Sequence, residues 1–287
     1  MNEEQLKKLI SQVLKEVDIE TDVSNSGSSA MCINGMIPDV REEDYTLVLD
    51  VENPANPEDF LRIKAKTDAR LGIGRCGSRY KTKSHLRILA DRAGALDAVL
   101  NEIPQALIED NHLLAVQTLC DDRGTYLRRP DLGRQFSEEM KNKIQVSCVM
   151  NPDVQVIASE GLSSTALERN IADLLPSLEQ GFQVEGIQSG TPIYVRYSRV
   201  PAMDVITELT KAKVTIMLIG ERPGLSTYAS LSAYMTYEGK VGMPEMGRTV
   251  ISNIHAGGTN PTEAGAHIAG VVRKMLDQKA SGTELKL

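Results

Sequence analysis

Four short polar stretches carry the side chains that could hold a ligand. They are Ser159-Glu160-Gly161-Leu162-Ser163, Arg196-Tyr197-Ser198-Arg199-Val200, Glu221-Arg222-Pro223-Gly224, and Asn253, His255, Gly257 and Gly258. Carboxylates accept hydrogen bonds, guanidinium groups donate them, and glycine lets backbone N–H and C=O groups approach a ligand closely. Such a set suits the amides and hydroxyls of a large polar ligand. It makes a poor catalytic centre. No Ser-His-Asp arrangement can be placed, and neither H-E-x-x-H nor a P-loop occurs. His255 stays open between a general base and a hydrogen-bonding residue. No catalytic residue and no metal ligand is assigned to the chain.

Each stretch must be positioned by the element before it. The clearest is 213–225, KVTIMLIGERPGL. Val214, Ile216, Met217, Leu218 and Ile219 form a short apolar run rich in β-branched residues, the pattern of a strand buried on both faces. It stops at Gly220 and gives way to a charged, backbone-restricted rim. In open α/β sheets ligands bind at that rim; a tight turn bearing a surface ion pair is the alternative. Similar runs at 154–158 and 193–195 precede the first two stretches. The spacing further predicts a strand at 116–119, an edge strand at 231–237 and a strand or loop at 248–254. Helices are predicted over 57–70, 84–100, 104–114, 137–148, 164–180 (ending at Gly181), 201–211 and 262–278, with 126–134 a polar loop. Asn56 and Ser137 are candidate caps, and Pro57 suits a first turn. Strands alternating with helices of this length imply a mostly parallel sheet covered on both faces.

Gly72, Gly74 and Gly77 spell G-x-G-x-x-G, the dinucleotide fingerprint. The residues before them are charged and helix-like, whereas the fingerprint needs a buried strand there. The nicotinamide reading is therefore rejected. Arg75, Arg79, Lys81 and Lys83 make the segment a basic loop, which could hold an anion, meet an acidic partner or be merely solvated.

The 287 residues favour two domains, and 41% hydrophobic content supplies a sizeable core. A net charge of -7 argues against nucleic acid as the main partner. No apolar run approaches the ~20 residues of a membrane span. Cys32, Cys76, Cys120 and Cys148 form no C-x-x-C pair, and reduced thiols in a cytosolic compartment are the expectation. At the start, Leu6, Leu9, Ile10, Val13, Leu14 and Val17 recur at helical spacing within residues 3–17. The Gly/Ser-bearing polar tract that follows reads as a tether. A docking helix is favoured over one packed on its own domain or lying on a membrane. The expected organisation is an amphipathic targeting helix (1–20), a flexible linker (21–49), a small helical domain (50–115) and an α/β domain (116–287).

Longer motifs carry a specific resemblance. They are LGIGRCGSR at 71–79, YLRRPDLGR at 126–134, NPDVQVIASEGLSS at 151–164, GTPIYVRYSRV at 190–200, IGERPGL at 219–225, ISNIHAGGTNP at 251–261 and KMLDQKASG at 274–282. In this order and over 52–282 the chain resembles the small (light) subunit of ethanolamine ammonia-lyase. The resemblance implies an adenosylcobalamin-dependent lyase that converts ethanolamine to acetaldehyde and ammonia by a radical mechanism. It implies a hetero-oligomer in which a barrel-shaped large subunit holds the substrate, and the small subunit covers the corrinoid with a Rossmann-like domain. The family's cobalamin contacts fall on Val200, Glu221 and Val250. Familiar members have Cys where this chain has Val250, so a thiol contact would be lost and a backbone contact kept. Cobalamin proteins that supply an axial His carry D-x-H-x-x-G. Asp110 and His112 begin that motif, but Ala115 ends it, and His85, His255 and His267 lack the Asp. The cofactor is expected base-on. The amphipathic start resembles the tags that route enzymes into bacterial microcompartments in the cytoplasm, with shell or cargo as the partner of residues 3–17. The alternative is a non-catalytic adaptor that docks a partner enzyme to such a shell.

Overall fold

The computed structural model describes residues 43–45, 47–67 and 69–287, so the predicted helix over 3–17 and most of the tether lie outside the described residues. Residues Asp44–Leu287 form one compact unit.

The unit opens with helix α1 (Pro57–Lys64), capped by the Asn56 side chain on the Asp59 N–H and carrying Pro57 in its first turn. It is shorter than the predicted 57–70. Bonds from Lys66 N to Ile63 O and from Thr67 N to Lys64 O tighten and end it. The three spaced glycines lie around a two-stranded hairpin, β1 (Arg75–Cys76) and β2 (Arg79–Tyr80), and among the described residues no strand precedes it to make a dinucleotide fold. Helices α2 (Thr82–Leu100) and α3 (Gln105–Asp110) lead into the sheet.

Among the described residues six strands form one mixed sheet: β3 (Leu114–Gln117), β4 (Val154–Ser159), β5 (Ile193–Arg196), β6 (Val214–Gly220), β7 (Leu231–Tyr237) and β8 (Thr249–Ile254). Their spatial order is β3-β5-β4-β6-β7-β8. The first four are mutually parallel, and β7 and β8 add antiparallel pairings. Every residue of β4 and β6 is buried, as continuous apolar runs require.

Helices cover both faces. On one, α6 (Ser164–Val184) and α8 (Pro261–Gln278) bury Leu167, Ile171, Leu174, Ile268 and Val272 against Ile216 and Leu218. On the other, α5 (Glu138–Ser147) and α7 (Ala202–Thr210) bury Ile144, Met203 and Ile206 against Ile157 and Met217. Among the described residues no helix is long and apolar enough to cross a membrane.

Three expectations need correction. Strand β7 is interior, because β8 pairs beyond it. Helix α6 runs through Gly181, which lies against α8: a Cβ there would sit 2.5 Å from the Ala269 Cβ. The residue that breaks the helix is Gly186, at φ 64 just past the cap. The stretch 126–134 is not a plain loop. Helix α4 (Arg123–Arg128), capped by Asp122, carries a fully buried Tyr126 stacked 5.9 Å from Tyr197.

Candidate functional site

Register decides which strand ends meet. Gly220 pairs with Leu231, and Leu231 with Ile254, so β8 runs in the same sense as β6 and both exit on one edge. Strands β3, β4 and β5 exit there too, because they lie parallel to β6. The four polar stretches therefore share one edge. The connection leaving β4 (α6) and the one leaving β5 (α7) cover opposite faces, which opens a crevice between those two strands.

That crevice holds Glu160, whose residue is only 2% exposed. Tyr197 N–H donates to Oε1 at 2.9 Å, and Tyr194 Oη–H donates to Oε2 at 2.8 Å. Arg123 Nη1 stands 3.8 Å from Oε1. Beyond it, Tyr197 Oη–H and Arg196 Nη2 reach the two oxygens of Glu102 at 2.8 and 2.6 Å. A cavity of about 450 Å³ lies beside the cluster, with Gln117, Met140 and Ile103 in its lining. The Glu102 carboxyl is held below its ordinary value by the Tyr197 and Arg196 hydrogen bonds. Burial pushes the Glu160 carboxyl up, opposed by the N–H of Tyr197 and the hydroxyl of Tyr194.

A raised carboxyl makes the folded protein bind more protons than the unfolded chain, from the ordinary value of 4.5 up to the folded value. The stability due to this group is therefore complete below 4.5 and lost as pH rises through that window. Glu160→Gln removes the titration. The stability difference between variant and native protein is expected to move in favour of the variant as pH rises above 4.5, measured by urea unfolding at a series of pH values. Parallel curves would refute the assignment.

The three residues singled out for cofactor contact lie away from Glu160, on the face covered by α5 and α7. Val200 is half-buried in the turn between β5 and α7 and packs on the cluster that includes Met203 and Ile219. Glu221 follows β6, bonded through its N–H to Ser230 O at 3.0 Å. Its Oε1 accepts a hydrogen bond from Ser232 Oγ. Val250 lies inside β8, opposite Tyr234 and 44% exposed.

Tyr234 relates the three. It packs on the same cluster as Val200, faces Val250 across the strand pair, and stands two residues from Ser232 on one side of β7. Burial, then the nearby Glu221 charge, raises its hydroxyl pKa. Glu221 and Val250 thus border one patch around Tyr234, and Val200 packs on the same apolar cluster as that tyrosine. Val200 and Glu221 sit at strand exits, while Val250 comes from the strand itself. A cleft of about 420 Å³ extends the patch past Glu221, lined by Arg222, Leu225, Thr227, Ser252 and Asn253.

His255 is engaged locally. Gly257 N–H donates to Nδ1 at 3.1 Å, so a neutral ring carries its proton on Nε2, which donates to Asn253 Oδ1 at 2.9 Å. This geometry favours a hydrogen-bonding residue over a base. Asn253 itself takes φ 62 at a bulge in β8.

Sequence reasoning missed Ser232, Tyr234 and the buried pair Asp204–Arg248. The alternation in LSAYMTY puts Ser232, Tyr234 and Thr236 on one face, which was a readable signal for the first two. Nothing in local spacing announces the pair.

Comparison with known proteins shows the family. The family model for the ethanolamine ammonia-lyase light chain (EutC) matches residues 57–286. The chain is 49% identical to the ethanolamine ammonia-lyase small subunit of Clostridium perfringens, with all of both chains covered. It is 47% identical to the small subunits of Fusobacterium nucleatum and of Clostridioides difficile, again over the full length of each. With a family model matched over residues 57–286 and relatives at 47–49% identity over the full length, the chain belongs to the ethanolamine ammonia-lyase light chain family.

Proposed function

We propose that this chain is the cofactor-covering subunit of an adenosylcobalamin-dependent ethanolamine ammonia-lyase, active only with a large catalytic subunit. The supporting observation is that, in a member of this family, Glu221 and Val250 border one patch around Tyr234, on the face where Val200 also packs. The sheet with helices on both faces, and ligand-facing exits on one edge, is the sense in which the domain is Rossmann-like.

The residues fit the group. A corrinoid has a broad apolar body fringed with amide side chains. Val250 offers exposed apolar surface, and Glu221 an acceptor held in place by Ser232. Bound adenosylcobalamin supplies radical chemistry that no amino-acid side chain provides. In this reading Glu221 accepts hydrogen bonds from the fringe amides, while Val200 and Val250 exclude water along the apolar body. Valine in place of the cysteine of familiar members keeps the apolar and main-chain contact. His255, with both ring nitrogens in local hydrogen bonds, is a poor axial ligand, in keeping with a cofactor that keeps its own base on the metal.

The test mixes the purified chain with its large subunit and adenosylcobalamin. Ammonia release is expected only from the mixture. Glu221→Ala should weaken cyanocobalamin binding by the mixture roughly tenfold or more, the worth of a hydrogen bond to a charged group. Full activity of the large subunit alone would overturn the proposal and leave the adaptor reading.

Placement in a bacterial microcompartment within the cytoplasm rests on the apolar stripe of residues 3–17. Residues 1–20 fused to a fluorescent reporter should become punctate in cells that make a shell and stay diffuse after Leu9→Glu; diffuse signal from the unaltered tag would refute it.

A further inference from the structure

We infer that the buried ion pair between Asp204 and Arg248 is the clasp that sets the spacing of the two walls of the cofactor patch, and that both are positioning residues for corrinoid binding. The inference rests on the proposed cofactor-covering role.

The pair joins elements far apart in the chain. Asp204 lies in the first turn of α7, just past the Val200 turn, and its N–H bonds Pro201 O at 3.2 Å. Arg248 is the residue that enters β8, just ahead of Val250. The guanidinium meets the carboxylate fork to fork: Nη1 donates to Oδ1 at 2.9 Å and Nη2 to Oδ2 at 2.7 Å. Both side chains are 1% exposed. The third guanidinium edge is used as well, with Nε donating to Glu245 Oε2 at 2.9 Å.

Geometry sets this pair apart from an ordinary surface bridge. Strand β8 is the sheet's edge, hydrogen-bonded on one side to β7. Helix α7 packs over β4 and β6. A cleft of about 540 Å³ separates the Val200 side from the chain leading into β8, with Pro201 and Val205 on one side, Val241 and Met243 on the other, and Asp204 and Glu245 among its lining. Beside this cleft the bidentate contact ties the start of α7 to the start of β8 and fixes both distance and angle, which a single hydrogen bond does not. Stability alone is a weak reason to bury two charges, because an apolar pair of similar volume often serves as well. Fixed geometry is what the charged fork supplies and an apolar pair does not.

The test uses the small subunit reconstituted with the large subunit. The variants are Arg248→Lys, Asp204→Leu/Arg248→Met and, as a reference, Glu221→Ala. Each is measured for melting temperature and for cyanocobalamin affinity by absorbance titration. Arg248→Lys keeps the charge but loses the fork. It is expected to melt close to the native complex while binding cyanocobalamin about tenfold more weakly. The apolar double variant, where it folds, should show the same split. Native affinity in Arg248→Lys with a weakened Glu221→Ala overturns the clasp and leaves the cofactor reading standing. Native affinity in both overturns both. Affinity that falls only in step with melting temperature makes the pair a stability element and overturns the inference as well.

Discussion

Gly220→Ala is expected to destabilise the protein by about 3 kcal/mol, the upper part of the range for forcing extra atoms into a packed interior. For a chain of this size the melting temperature should drop by about 6 °C. The reason is a close approach of two backbones. A Cβ on Gly220 would overlap the carbonyl oxygens of Glu160 and Ser163. Main chain cannot swing aside as the end of a flexible side chain can. The contact is also hydrogen-bonded, with Leu162 N–H donating to Gly220 O at 3.0 Å and Ser163 N–H to Glu160 O at 2.9 Å. Gly161 mirrors the constraint at φ 52, its own Cβ position blocked by Gly220 O and Ile219. The exits of β4 and β6 are therefore locked together, and Glu221 inherits its position from that lock. Gly270→Ala is the control. It sits within α8 with nothing within 4 Å of its Cβ position, and is expected to stabilise by up to about 1 kcal/mol through helix propensity. Thermal melts of the two variants check both signs; equal behaviour would refute the packing account.

Asp204→Ala is the second large effect. It removes the carboxylate and leaves the Arg248 guanidinium 1% exposed, with Glu245 on one edge only. Removing one partner of a buried ion pair costs about 3–5 kcal/mol, chiefly because the remaining charge is stranded without solvent. Replacing both partners by apolar groups leaves no stranded charge, so Asp204→Leu/Arg248→Met should be far milder than the single change despite the greater chemical alteration. Urea unfolding with a common slope is the measurement. A double variant no more stable than Asp204→Ala would show that the pair stabilises the fold in its own right.

How much of this could be read from the letters depends on the range of the interaction. Local chemistry was legible. The apolar run 214–219 is a strand buried along its whole length. Asn56 and Ser137 cap the helices they precede, each accepting from an N–H three residues on. Such features depend on residues within one turn or one strand, so spacing alone reveals them. The mostly parallel character of the sheet followed from strands alternating with helices, and the polar exits were found at the ends of those strands.

Errors arose where a neighbour came from elsewhere in the chain. Gly181 looked like a helix stop, because a glycine against another helix and a glycine at a cap are the same letter. Tyr126 looked like part of a polar loop, yet it is fully buried against Tyr197. Strand β7 looked like an edge because its alternation describes one covered face, not the number of strands beside it.

The sequence by itself determined the family, the periodic elements and the polar rims. It did so because binary pattern, caps and turn residues act over a few neighbouring positions. Only the tertiary structure decided that β8 pairs outside β7, that Tyr234 stands between Glu221 and Val250, and that Asp204 closes on Arg248. Those outcomes depend on strand order and on the faces chosen by the crossovers. Such choices minimise the burial energy of the whole sheet, and no short window of residues contains it.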